Sequence, residues 1–203
     1  MLGGHADSTE LFWRSSAPEQ ELKAALSTLG AVFKELPSQR WDGRAATIGG
    51  IRDTELSRVL LRSAGWSAVA LPLRSSMGDP LCRIFADQVG EPVLAFHEFD
   101  QTGWGVSLFL PQGEIKTFVS WFDLDLSTGA GGLSADDLAT VTGVQPEAVA
   151  PYLVADAIGK ASPSDQFARD DHWVRVDLMG ALGLLYPDPS TDGVRHVHIV
   201  ATR

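Results

Sequence analysis

Apolar and polar positions along the chain follow two rhythms, and each change of rhythm marks a new element. Leu11, Phe12, Trp13 and Arg14 form an alternating run. Ser16 then stands three residues before Glu19, the spacing of a capping box, and predicts a helix start. Leu22, Ala25, Leu26, Leu29, Phe33 and Leu36 recur at helical spacing, so one face of this helix is expected to bury while Glu19 and Lys23 pair on the other. A short segment at residues 45–51 leads to a second expected helix, opened by Asp53 or Thr54 and stopped by Gly65. Residues 66–73 read as a strand. Asp79 and Pro80 start a third helix with Leu81, Ile84, Phe85 and Val89 as its apolar stripe, and Gly90 closes it.

The middle of the chain carries the clearest β pattern. Residues 92–99, 103–110 and 114–122 are strand-length runs rich in Val, Ile, Phe and Trp, separated by turn residues around Gly103 and Gly113. They predict an antiparallel meander in which Trp104, Val106, Leu108 and Leu110 share a face, and Ile115, Val119 and Trp121 meet the same core. Beyond Asp125 the pattern turns helical. Ser134 caps a short helix ended by Gly143, Pro146 and Glu147 start another through Tyr152 and Leu153, and Ser162 to Asp165 opens a longer one to about Leu182. Residues 194–201 alternate as a final strand. The expected fold is therefore α+β: a central antiparallel meander flanked by helices, with a helical C-terminal part ending in a strand. Residues 1–203 are expected to form a single domain, with 125–133 the natural boundary if there are two lobes.

Charge is divided unevenly along the chain. Residues 1–90 balance ten acidic side chains against ten basic ones, whereas residues 91–203 hold sixteen against six, so the net −10 belongs to the second half. No Lys or Arg occurs between Lys116 and Lys160. Such a field repels nucleic acid and anionic membranes and attracts a basic protein partner. The longest uncharged stretch, residues 101–113, is too short and too broken by Gly and Pro to span a bilayer. No secretory leader is apparent, and a lone Cys82 excludes an internal disulfide, so a cytoplasmic location is expected.

Candidate chemistry is sparse. His196 and His198 share one face of the terminal strand, and with His97 they make a conceivable metal site for a metal-assisted hydrolase; ordinary histidines on a half-exposed strand are the simpler reading. Asp170, Asp171 and His172 resemble part of a metal or acid–base site, yet Asp171 and Arg175, like Asp165 and Arg169, are four apart and read as helical ion pairs. The loop from Gly129 to Gly132 lacks the Lys of a P-loop. Residues 133–152 have the rhythm of a helix-turn-helix but none of the basic residues that DNA requires. Cys82 beside Leu81 reads as a small buried hydrophobe. No cofactor is implied, and no catalytic residue is assigned.

Residues 79–122 combine a Pro-initiated helix, a strand ending at Glu98 and Asp100, Trp104 and Gly105 entering the next strand, and Gly113 turning into a strand that ends at Phe122. This arrangement resembles small bacterial proteins of the toxin-immunity type. Residues 167–183, with Asp171, His172 and Trp173 before an apolar run, and then Tyr186 and Pro187, are similar in kind. The resemblance implies an inhibitor-like binding protein and no catalytic residue. The leading expectation is a non-enzymatic module in which Asp123, Asp125, Asp136, Asp137, Asp170 and Asp171 steer a basic toxin and exposed aromatics anchor it. The alternatives are the metal-assisted hydrolase and a structural adaptor or small-ligand sensor built on the central sheet.

Overall fold

The computed structural model describes residues 8–36, 47–48, 51–52, 55–72, 77–99, 103–120 and 132–202. The first alternating run forms β1 (Ser8–Ser15), followed by α1 (Pro18–Thr28) and β2 (Ala31–Glu35). A separate two-stranded ribbon, β3 (Thr47–Ile48) and β4 (Ile51–Arg52), precedes β5 (Ser57–Leu60), β6 (Gly65–Leu71) and α2 (Gly78–Val89). The expected meander forms as β7 (Val93–Phe99), β8 (Gly103–Phe109) and β9 (Ile115–Val119). The C-terminal part contributes α3 (Ala135–Thr142), α4 (Pro146–Val149) running into a single 3₁₀ turn, α5 (Val174–Ala181) and β10 (Arg195–Ala201).

Eight of these strands pair antiparallel in the order β2-β10-β5-β6-β1-β7-β8-β9, so the fold is α+β. Successive side chains of a strand point to opposite faces, and here both faces are covered. On one face Leu11, Trp13, Val69, Val93 and Phe109 pack with Leu22 and Leu26 of α1 and with Leu81, Cys82 and Phe85 of α2; Trp13 stacks on Phe85 at 4.6 Å. On the other, Phe12, Phe96, Trp104, Val106 and Leu108 pack with Leu138, Val149, Tyr152, Val174, Leu178 and Met179 of the C-terminal layer. Two covered faces explain why β7 and β8 are apolar almost throughout rather than alternating.

Several expectations are corrected. The helix expected up to Gly65 is instead β5 and a turn, its described residues claimed by pairing with β6 and β10; Asp53 and Thr54 lie outside the described residues. The first helix stops at Thr28, because Gly30 adopts a left-handed backbone (φ 66°) and turns the chain into β2, where Phe33 packs as a strand residue. Its capping box does not form: Ala17 is the N-cap, and Ser15 Oγ accepts from the Ala17 amide at 2.8 Å. The Glu19–Lys23 pair does form, at 2.7 Å.

In β9 the residues aligned with Val106 and Leu108 are Phe118 and Lys116, so Ile115 and Val119 face the α1 and α2 side instead of sharing a face with Trp104. Trp121 lies outside the described residues. The helix expected from Ser162 to about Leu182 exists only as α5. Upstream, Asp165 and Asp177 accept backbone amides of Ser162, Gln166 and Phe167 at 2.7 to 3.2 Å, and these side-chain bonds hold turns where a helix would need the same amides. Ser134 makes the expected cap, with a full box to Asp137, and Gly90 and Gly143 end their helices in the left-handed region.

Candidate functional site

The C-terminal layer is pinned to the sheet by a buried ionic cluster. Glu10 of β1 and Glu98 of β7 project from the same face, opposite Phe96 and Ser8 of the neighbouring strand. Arg175 of α5 reaches down between them: its Nε donates to Glu10 at 3.3 Å and its Nη2 to Glu98 at 2.8 Å, while Nη1 donates to the His172 carbonyl at 2.9 Å. Trp173 covers the guanidinium at 4.8 Å. Burial works against the Arg175 charge, but the two carboxylates outweigh it and raise its pKa. The His172 ring stands 3.5 Å from both Glu98 and Asp171. Arg58 donates to the Tyr186 hydroxyl at 3.2 Å, and burial together with Glu10 pushes that phenol up.

This geometry replaces the expected helical pairs. Arg175 bonds Glu10 and Glu98 rather than Asp171, whose carboxylate accepts the Trp173 amide at 2.8 Å. Arg169 bonds the carbonyls of Pro151, Ile158 and Gly159 rather than Asp165, which takes the Tyr152 hydroxyl at 2.6 Å.

Among the described residues a larger and a smaller cleft open in the layer so fixed. The larger, 610 Å³, runs between α4, the turns of residues 161–166 and α5; its charged lining is Glu147, Asp165 and Asp177, with no Lys or Arg. The smaller, 260 Å³, lies where Trp104 of β8 and Ser120, just past β9, meet Asp156, Ile158, Asp170 and His172 of the loops. Exposed apolar side chains stand beside it: Ile158 is 76% exposed and Trp173 37%.

The carboxylates expected to face a partner are distributed between two places. Asp136 is exposed in the first turn of α3. Asp137 beside it is bonded to Lys116 at 2.7 Å and to Ser134; burial opposes its ionisation, but these bonds prevail and hold the carboxyl below its ordinary range. Asp170, exposed, accepts the Gly159 amide at 3.3 Å, and Asp171 accepts the Trp173 amide at 2.8 Å. Asp123 and Asp125 lie outside the described residues, as do the glycines at 129–131 of the expected loop.

The histidine set does not assemble. β5, β6 and β1 lie between β10 and β7, which at about 4.8 Å per strand separates His196 and His198 from His97 by roughly 19 Å. They also point to opposite faces, since His97 shares the side of Val93 and Ala95 whereas Val197 and Ile199, not the histidines between them, join that core. His97 is buried in a hydroxyl chain: Thr9 Oγ1 lies 3.3 Å from its Nδ1 and Ser107 Oγ 3.2 Å from its Nε2. Among the described residues no group of three or more His, Cys, Asp or Glu is placed to hold a metal ion.

Sequence reasoning missed Glu10 and Glu98 as a pair, and Glu147, Asp165 and Asp177 as walls of one groove. A lone carboxylate inside each apolar strand run was the available signal for the first. Among the described residues no helix is long and apolar enough to cross a membrane. In comparisons with protein-family models, curated proteins and solved structures, none matches this chain.

Proposed function

We propose that this chain is an acidic protein-binding module, an immunity protein that occludes a basic toxin. The observation that carries the reading is the larger cleft, whose charged walls are carboxylates alone. A groove of one sign in low-dielectric walls concentrates the field and draws a cationic partner toward it. The excess of sixteen acidic over six basic residues in the second half extends that field. Exposed Trp173 and Ile158 on the same layer offer the apolar contacts that such an interface needs at its centre. Inhibition would be steric, with carboxylates setting the encounter rate and apolar side chains the lifetime.

Co-expression with each small basic toxin encoded in the source genome tests this. Growth restored against one toxin, and lost with Glu147→Lys, supports the reading; no protection across the set overturns it. With the cognate toxin in hand, the association rate should fall steeply between low and physiological salt, and a flat dependence counts against electrostatic capture.

A further inference from the structure

We propose that β2 is a self-association edge, through which two copies of this chain pair antiparallel about a two-fold axis at Phe33 and join their sheets into one. Such pairing goes beyond the acidic-module reading and does not depend on it.

The two ends of the sheet differ. At β9 none of residues 115–119 is exposed, Lys116 is held by Asp137 of α3 at 2.7 Å, and the carbonyl of Ser120, next along the chain, accepts the Asp156 amide at 2.9 Å. At β2, by contrast, Val32 is 40% exposed, and Lys34 and Glu35 are exposed with it. The one sheet neighbour of β2 among the described residues is β10.

The ladder to β10 decides which main-chain groups of β2 turn outward. The Thr202 amide donates to the Gly30 carbonyl at 2.7 Å, and the Leu36 amide donates to the His196 carbonyl at 3.3 Å. Hydrogen-bonded positions alternate along an antiparallel pair, so Val32 and Lys34 also face β10, while Ala31, Phe33 and Glu35 aim their N–H and C=O away from it. Groups so aimed are a template for another strand.

A second copy of β2 matches this template in one register. Centred on Phe33, the pairing sets Phe33 opposite Phe33 and Ala31 opposite Glu35, so every outward group of each strand meets a partner. Val32 then lies opposite Lys34, whose aliphatic stem covers the exposed valine. Glu35 enters with its charge already met by Arg195 of its own chain, at 2.6 Å. Other registers are penalised. Centring on Lys34 puts two lysines opposite each other, and centring on Glu35 does the same with two glutamates. Centring on Val32 sets Glu35 against Leu29, which caps α1 and lies outside the strand. Two-fold pairing also closes on itself, giving a dimer with no β2 edge left over rather than a filament.

Sedimentation equilibrium of the full chain at rising concentration should give the mass of two chains. Phe33→Pro and Glu35→Pro each remove an outward N–H that β10 does not use, so both should give the mass of one chain while cooperative unfolding is retained. Mild oxidation supplies a second readout that needs no proline. In the two-fold register the Cα atoms of the paired Phe33 residues stand about 5.5 Å apart, within reach of a disulfide, whereas the two Lys34 residues are diagonal neighbours at about 7–8 Å. Phe33→Cys should therefore cross-link into a dimer and Lys34→Cys should not, with Cys82 buried away from both. Wild type with the mass of one chain at every concentration overturns the proposal. So does a dimer that survives both proline variants, or one that cross-links equally at positions 33 and 34.

Discussion

Glu10 and Arg175, 165 residues apart in sequence, meet at 3.3 Å inside the molecule, each with a side chain only 1% exposed. The contact joins the first strand of the sheet to the helix that carries the loops of both clefts.

Removing the cation alone should therefore be severe. Arg175→Met leaves Glu10 and Glu98 facing each other without their guanidinium, with only the Ser8 hydroxyl and the His172 ring beside them, and the expected loss is about 3–5 kcal/mol in urea unfolding. Adding Glu10→Gln and Glu98→Gln should restore a large part of it. A single variant as stable as wild type would show that water reaches the cluster.

Acid should weaken the fold through His97. Burial lowers its pKa below the ordinary 6.5, against a smaller upward pull from Asp79 and Glu10. The unfolded chain then takes up a proton that the folded chain refuses, so this contribution is fully present above pH 6.5 and is lost as pH falls toward the depressed folded value. His97→Gln, which still offers a donor and an acceptor to Thr9 and Ser107, should flatten the slope of unfolding midpoint against pH in that window. An unchanged slope would assign the effect elsewhere.

Helix α3 depends on its cap. Ser134→Ala removes both the acceptor for the Asp137 amide and the hydroxyl donor to its carboxylate, and should cost about 1 kcal/mol by chemical denaturation. Ser134→Thr should cost much less.

Cys82 is fully buried on α2 beneath β1, and burial pushes its thiol well up. In native buffer it should resist a thiol-specific reagent and react only as fast as the protein opens, so labelling should accelerate in step with added urea. Rapid labelling of the native state would contradict the packing of α2.

The β-strand at Gly105 has no room for a side chain. A Cβ there would stand 3.0 Å from the Phe118 carbonyl oxygen and 3.2 Å from the Phe99 ring. Gly105→Ala should destabilise by about 1–3 kcal/mol, measured as a lowered unfolding midpoint.

Local chemistry was legible where one residue decides the outcome: Ser134 and Gly143 bounding α3, Gly90 closing α2, and the turns separating β7, β8 and β9. It failed where partners distant in sequence decide. Ser57 to Leu60 carries no strong strand signal and becomes a strand because β6 and β10 lie on either side of it. Leu29, Phe33 and Leu36 share a spacing with α1 by coincidence, and Gly30 breaks it. The ionic cluster was hidden for a related reason, since a sheet apolar on both faces gives no alternation to mark which side Glu10 and Glu98 occupy. The expected Asp171–Arg175 pair presumed a helix that begins only at Val174.

The placement of β10 between β2 and β5 governs the order in which the molecule can be completed. Among the described residues strand β2 pairs in the sheet with β10 alone, so residues 31–35 wait for residues 195–201 to be synthesised before that pairing satisfies their backbone amides. During translation the N-terminal part consequently presents the β5 edge, a place where nascent chains can pair with one another, and the late strand covers that edge and moves the end of the sheet to the short strand β2.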